Sequence, residues 1–150
     1  LKVGDRAPSF TLQSETGDSV NLKENKGMIV ILYFYLKGMT PGCTTEAFEF
    51  KTFNPKFKKK DAVILGVSKD SVASHEKFKK KYALPFSLLA DLEGVVCAAY
   101  GVWKERSLYG RKYMGIERTT FVINLQGKIA AIFPKVKVPN HAFTVLESLT

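Results

Sequence analysis

Met28-Ile29-Val30-Ile31-Leu32-Tyr33-Phe34-Tyr35 is an unbroken run of apolar, β-branched and aromatic side chains, and Leu36-Lys37-Gly38-Met39-Thr40-Pro41-Gly42-Cys43 follows it directly. A half-exposed strand alternates apolar and polar residues, whereas a strand apolar throughout has both faces covered, as at the centre of an α/β sheet. A second such run, Ala62-Val63-Ile64-Leu65-Gly66-Val67, ends in the turn signal Ser68-Lys69-Asp70. Both strands are expected inside one sheet.

Toward the amino end, residues 9–12 and 19–22 flank the turn-rich Ser14-Glu15-Thr16-Gly17-Asp18, which predicts a peripheral N-terminal β-hairpin. Toward the carboxyl end, residues 71–82 place Val72, His75, Phe78 and Tyr82 on one face with lysines opposite, an amphipathic helix that Pro85 terminates. Residues 87–90 read as a short strand and residues 92–100 as a short helix before Gly101. Residues 119–124 and 128–133 form strands joined by Leu125-Gln126-Gly127, a hairpin signal. A helix over 141–149 closes the chain, with Ala142, Val145, Leu146 and Leu149 inward. The order hairpin, β, α, β, α, β, α, β, β, α predicts an α/β fold, a mixed central sheet flanked by helices on both faces.

The 150 residues suit a single domain, 1–150, and 45% hydrophobic, 12% aromatic and 25% charged residues suit a folded globular chain rather than a disordered one. No apolar run reaches the eighteen or so residues of a membrane span, so no membrane association is expected. Two cysteines with no Cys-x-x-Cys exclude a disulfide framework, a zinc ribbon and a dithiol motif. They point to a reducing compartment. Residues 1–5 show no basic segment leading into an apolar one, and a cytoplasmic location is expected.

The 23 basic residues against 14 acidic favour acidic partners. Lysines cluster at 56, 58, 59 and 60 and at 77, 79, 80 and 81, interleaved with Phe or Tyr. Arginines placed for base contacts and a recognisable nucleic-acid module are both missing, so a solvated basic face is expected and no nucleic-acid partner.

In open α/β sheets the chemistry sits beyond the carboxyl ends of the strands, which directs attention to the residues after Tyr35. Thr40 suits an N-cap and Pro41 the first helical position, so Cys43 falls in the first turn of a helix. Free N–H groups and the positive end of the helix dipole there favour a thiolate over a thiol. Gly42 leaves room for a small substrate. The alternative is an inert buried cysteine, which sits poorly with a Thr-Pro-Gly turn at a strand end.

The stretch Met39-Thr40-Pro41-Gly42-Cys43-Thr44-Thr45-Glu46-Ala47 resembles the active-site motif of the peroxiredoxins, specifically the bacterioferritin comigratory protein or peroxiredoxin Q subfamily. Residues 4–12 resemble the family's opening, 66–71 its second-strand turn, and 115–121 its arginine motif. The resemblance implies a thioredoxin-like fold and a peroxidase needing no metal, haem or flavin. By position, Cys43 would be the peroxidatic cysteine, Thr40 would donate or accept a hydrogen bond at the peroxide, and Arg118 would hold thiolate and peroxide together. Pro41 and Gly42 belong to the motif, and Glu46 matches a family position suited to orienting Arg118. Read without the resemblance, Arg118 is a surface arginine or a partner of Glu117, and Glu46 a solvated helix carboxylate.

Two departures stand out. Leu36 occupies a position where the family usually has proline, removing a φ restraint from the active-site loop. Phe48 and Lys79 stand where different members carry a resolving cysteine. Cys97, in the apolar Val95-Val96-Cys97-Ala98-Ala99-Tyr100, is the remaining candidate resolver, and its setting reads instead as packing. A one-cysteine peroxidase follows, acting on hydrogen peroxide and organic hydroperoxides and reduced by an external thiol, thioredoxin, glutaredoxin or glutathione. The expected state is a monomer. The rival readings are a peroxide sensor with slow turnover and, more distantly, a nucleic-acid-associated basic protein. His75 lies on the apolar face of its helix, and His141 reads as capping or solvent-facing; Trp103 reads as packing.

Overall fold

The computed structural model describes residues 1–149. The elements are β1 (Thr11–Ser14), β2 (Ser19–Asn21), a 3-10 turn (Leu22–Asn25), β3 (Ile29–Phe34), α1 (Pro41–Lys59), β4 (Ala62–Ser68), α2 (Val72–Tyr82), β5 (Ser87–Ala90), α3 (Val95–Ala99), β6 (Trp103–Leu108), β7 (Arg111–Ile116), β8 (Thr119–Ile123), β9 (Ile129–Phe133) and α4 (His141–Glu147). A seven-stranded sheet runs in the order β2-β1-β5-β4-β3-β8-β9. β5, β4 and β3 are parallel, and the remaining pairings are antiparallel. The mixed sheet and edge hairpin expected from the sequence are both present.

β3 lies at the centre, and its period-2 geometry divides the molecule in two. Val30, Leu32 and Phe34 face a core shared with Phe10, Leu65, Val67, Leu89, Cys97, Tyr100 and Phe121, covered by α3 and the N-terminal segment. Ile31 and Tyr33, with Tyr35 beyond the strand, face a second core shared with Cys43, Ala47, Phe50, Phe57, Phe78, Val145 and Leu146, covered by α1, α2 and α4. Each large apolar side chain buried in this way contributes about 1.5–3 kcal/mol. Such contributions explain why β3 carries no polar residue.

Several boundaries differ from the sequence reading. The first strand of the edge hairpin is 11–14 rather than 9–12, because the tight turn begins only at Ser14, whose N–H donates to Asp18 O. The helix expected over 92–100 contracts to Val95–Ala99: Gly94 adopts a left-handed φ of 74°, and the Asp91 carboxylate accepts from Val96 N and Cys97 N at 3.2 and 2.8 Å. The last helix ends at Glu147. An unanticipated hairpin, β6–β7, forms its own two-stranded sheet. Its turn residues Tyr109 and Gly110 both have positive φ, 51° and 77°, the pattern of a type I′ turn.

Candidate active site

Three pieces of chain meet at the carboxyl end of β3: the loop 36–40, the first turn of α1 and residues 117–118. The last arrive there because β8 pairs antiparallel with β3 in a register that sets Phe34 opposite Thr119. Arg118, one residue earlier, then lies level with the start of the active-site loop. Its backbone is held by Val136 N donating to Arg118 O at 2.9 Å, while Glu117 N donates to Val102 O at 2.7 Å.

The Arg118 guanidinium bridges two α1 side chains. Nη2 donates to Cys43 Sγ at 3.3 Å, and Nη1 donates to Glu46 Oε1 at 2.6 Å. Arg118 is 13% exposed and Glu46 2%. Cys43 and Glu46 are three residues apart in a helix, so they project from the same face and one planar fork can reach both. Burial pushes the Glu46 carboxyl up to about 7, against the opposing pull of Arg118. Burial likewise works against the Arg118 charge, but Glu46 and Cys43 outweigh it and raise its value. Glu117 pairs instead with Lys104 at 3.4 Å, so the alternative Arg118–Glu117 pairing does not form.

Cys43 does not have the accessible setting read from its turn; it is 1% exposed. Pro41 and Gly42 remain at the surface, and one residue later the helix turns the thiol into the core. Gly42 borders the arginine: a Cβ there would sit 3.4 Å from Arg118 Nη2. Thr40 occupies the N-cap position with Pro41 at the start of α1, but its side chain makes no capping bond. Instead its Oγ1 donates to Lys37 O at 2.7 Å, closing the loop on itself.

Asp70 was not singled out from the sequence, yet its Oδ2 accepts from Gly38 N at 2.7 Å and ties this loop to the end of β4. A Cβ on Gly38 would meet the Phe78 ring at 3.2 Å, so the loop packs closely at Gly38, whereas Leu36 is exposed. The only advance signal was the Ser68-Lys69-Asp70 turn itself. Leu36 and Arg118 share a cleft of about 450 Å³ whose other walls are Glu105, Arg106, Ser107, Glu117, Lys135 and Val136.

The second cysteine is elsewhere. Cys97 is fully buried in the α3-side core, and Cys43 belongs to the α1-side core, with the sheet between them. Burial, with the Asp91 carboxylate beside it, pushes the Cys97 thiol up. Both cysteines are free. Phe48 is exposed, and Lys79 pairs with the buried Glu15. His75 is buried against Tyr35, its Nδ1 2.7 Å from the Tyr35 hydroxyl. His141 is also buried rather than capping, with Nε2 2.7 Å from Thr120 Oγ1 and its ring against Phe50 and Phe133. Among the described residues no three His, Cys, Asp or Glu side chains converge as a metal site, and no helix is long and apolar enough to cross a membrane.

A thiol in the first turn of a helix, bonded to an arginine that a buried glutamate holds, follows a strand at the sheet's centre. A profile of the AhpC/TSA family matches residues 3–132. The chain belongs to the AhpC/TSA family. Among relatives of this AhpC/TSA protein, a putative peroxiredoxin bcp of Coxiella burnetii is 49% identical, covering 99% of both chains. Peroxiredoxin Bcp of Bacillus subtilis is 46% identical over 99% of this chain and 95% of its own. Among solved structures, a mutant PrxQ of Xylella fastidiosa superposes with a TM-score of 0.94 at 37% identity, covering 99% of this chain and 95% of that one. The Xanthomonas campestris bacterioferritin comigratory protein, for which alkyl peroxide reduction is described, superposes with a TM-score of 0.93 at 38% identity, covering 99% and 97%. The fold is thioredoxin-like, as the resemblance implied. This AhpC/TSA-family chain is a thiol-dependent peroxidase, consuming a hydroperoxide and a thiol reductant.

Proposed function

We propose that Cys43 is the peroxidatic cysteine of a one-cysteine enzyme, working as a cytoplasmic monomer on hydrogen peroxide and small organic hydroperoxides. The observation that carries this is the 3.3 Å contact between Arg118 Nη2 and Cys43 Sγ, with the arginine anchored at 2.6 Å by Glu46. A guanidinium held beside the sulfur favours negative charge there, and its planar fork keeps one direction fixed. The thiolate attacks the nearer peroxide oxygen along the O–O axis. The S–O bond forms as the O–O bond breaks, sulfur is oxidised by two electrons, and the alkoxide or hydroxide leaves and takes a proton. The products are Cys43 sulfenic acid and an alcohol or water. Arg118 also faces the oxygens on which charge develops, where a preorganised donor lowers the barrier most.

Thr40 has committed its proton to Lys37 O, so its oxygen acts at the peroxide as an acceptor, receiving the O–H of the attacked oxygen. Glu46 is a positioning residue acting through Arg118. Pro41 and Gly42 start the helix and leave the guanidinium room. The sheet between Cys43 and Cys97 supports reduction by an external thiol, because disulfide formation needs Cα atoms within about 7 Å and thiols that can face each other.

The test is intact mass after one equivalent of hydrogen peroxide with dimedone present, on wild type and Cys97→Ser, followed by peptide mapping. A dimedone adduct on Cys43 in both proteins is the expected result. Loss of two hydrogens from the wild type, with an adduct only in Cys97→Ser, would make Cys97 the resolving cysteine and overturn the one-cysteine reading.

A further inference from the structure

We propose that Asp70 is a positioning residue that makes Thr40 an acceptor toward the peroxide, by holding one peptide plane of the active-site loop. The proposal rests on the reading of Cys43 and Thr40 above. Thr40 Oγ1 donates to Lys37 O, and Asp70 Oδ2 accepts from Gly38 N, each at 2.7 Å. Those two backbone atoms belong to the same peptide unit. A trans peptide is planar, with its C=O and N–H pointing in opposite directions, so fixing the N–H fixes where the carbonyl points. Asp70 thereby aims the oxygen that takes the Thr40 proton. A charged acceptor on the N–H also polarises the peptide, which makes its carbonyl the stronger acceptor.

The residue types of the loop do not hold this plane. Turning it changes ψ of Lys37 and φ of Gly38, and glycine takes either sign of φ. Glycine is nonetheless needed there, because a Cβ would meet the Phe78 ring at 3.2 Å and Asp70 Oδ2 at 3.4 Å. Close packing of the loop therefore leaves a peptide free to turn, and Asp70 removes that freedom. Asp70 is itself held: its N–H donates to Ser68 Oγ at 3.1 Å. Ser68 Oγ lies 3.5 Å from His75 Nε2, and His75 Nδ1 lies 2.7 Å from the Tyr35 hydroxyl. Tyr35, Ser68 and His75 are all fully buried. Tyr35 directly precedes the loop, so this series of polar contacts starts at one end of the loop and returns to it at Gly38.

With the plane turned, Lys37 O no longer faces Thr40 and the hydroxyl keeps a proton to donate. The oxygen that Cys43 attacks then meets a second donor beside Arg118, where its own O–H needs an acceptor. The charge of a carboxylate disfavours a nearby thiolate, so an effect of Asp70 through charge and an effect through position have opposite signs. Losing the charge favours the thiolate. Losing the hydrogen bond slows its attack on peroxide.

The experiment measures by stopped flow the second-order rate constant for oxidation of Cys43 by hydrogen peroxide. Beside it runs alkylation of Cys43 by iodoacetamide, which needs the thiolate but no acceptor for a peroxide O–H. Asp70→Ala should slow oxidation about tenfold, the worth of one hydrogen bond to a charged group, and leave alkylation unchanged or faster. Asp70→Asn keeps an oxygen for Gly38 N and should recover most of the loss. Thr40→Val should slow oxidation in the wild type and clearly less in Asp70→Ala, where the hydroxyl is already misdirected. Ser68→Ala, which removes the acceptor of Asp70 N, is a milder variant that should slow oxidation about two- to threefold and keeps the test open if Asp70→Ala fails to fold. Unchanged oxidation in either alanine variant would overturn the proposal. So would alkylation slowed as much as oxidation, an Asp70→Asn rate no better than that of Asp70→Ala, or additive costs of Asp70→Ala and Thr40→Val. Failure of the underlying reading shows separately, as oxidation that Thr40→Val alone does not slow or that falls on Cys97 instead of Cys43.

Discussion

Cys43 and Cys97 are buried to the same degree, 1% and 0% exposed, on opposite sides of one sheet, yet their neighbours differ in sign. Cys43 has a guanidinium at 3.3 Å and stands in the first turn of a nineteen-residue helix; Cys97 has the Asp91 carboxylate beside it and lies in a helix of five residues. Burial alone raises the cost of either thiolate. The two settings differ in the charge beside the sulfur, a guanidinium at Cys43 and a carboxylate at Cys97, so exposure alone does not distinguish them.

The largest effect that could break this contrast is loss of one sulfur. Cys43→Ser should abolish thiol-dependent peroxide consumption, whereas Cys97→Ala should keep kcat/KM within twofold and cost about 1 kcal/mol of stability. Coupled peroxidase assays and urea melts read both. Equal loss of turnover in the two variants would sink the contrast. The next test removes the charge rather than the sulfur. Arg118→Met should lower kcat/KM for peroxide by about 10²–10³-fold, the range for one preorganised donor. Glu46→Gln keeps the arginine but loosens it, and should cost about tenfold, with Arg118→Lys recovering little because Lys cannot bridge Sγ and Oε1 together. Stopped-flow tryptophan or competition kinetics would rank the three.

How far the sequence discloses this arrangement depends on how local the cause is. β3 and β4 are legible because apolar runs report burial on both faces directly. Thr40, Pro41 and Cys43 are legible because a helix start is a four-residue signal, and Arg118 and Glu46 because a motif carries them. What is missed depends on contacts distant in sequence. The burial of Cys43 comes from α1 packing into a core with Tyr35 and Phe78, which no turn signal encodes. His141 reads as a cap because it opens a helix, but the helix begins on Asn140 in a left-handed φ of 65° and turns the imidazole toward Thr120. The β6–β7 hairpin is hidden because polar residues occupy both of its faces and Tyr109-Gly110 shows only half of the usual Asn-Gly turn signal.

On the Cys97 side, the sharper test concerns Asp91. Its carboxylate accepts two backbone N–H groups of α3 besides setting the charge near the thiol. Asp91→Ala should therefore destabilise the protein by about 1–3 kcal/mol, since buried donors are left unpaired. Cys97 should stay unreactive toward dimedone in the folded state, because it remains fully buried. A Cys97 adduct in native Asp91→Ala after peroxide would mean that the carboxylate, rather than burial, keeps this sulfur silent.

The smallest net effect is a pH response confined to the Cys43 side, where two groups work against each other. Burial lowers His141 from its ordinary 6.5 to about 4, with the Arg118 charge adding to it. The unfolded chain then binds more protons between those values, so this group's contribution to stability is lost as pH falls from 6.5 toward 4. Glu46 runs the other way. Its carboxyl rises from 4.5 to about 7, the folded state binds more protons in that window, and stability falls as pH rises through it. The windows overlap between 4.5 and 6.5, where the two slopes oppose each other; His75, also lowered by burial, adds to the His141 side. Removing one group exposes the other: Glu46→Gln should lose up to about 3 kcal/mol as pH falls from 6.5 to 4, and His141→Gln should lose a similar amount as pH rises from 4.5 to 7. Urea melts at half-unit pH steps measure all three proteins. Equal slopes in the three would show that neither group is held by the surroundings described for it, and that the polar layer beneath Cys43 is more open to water than the 2% exposure of Glu46 requires.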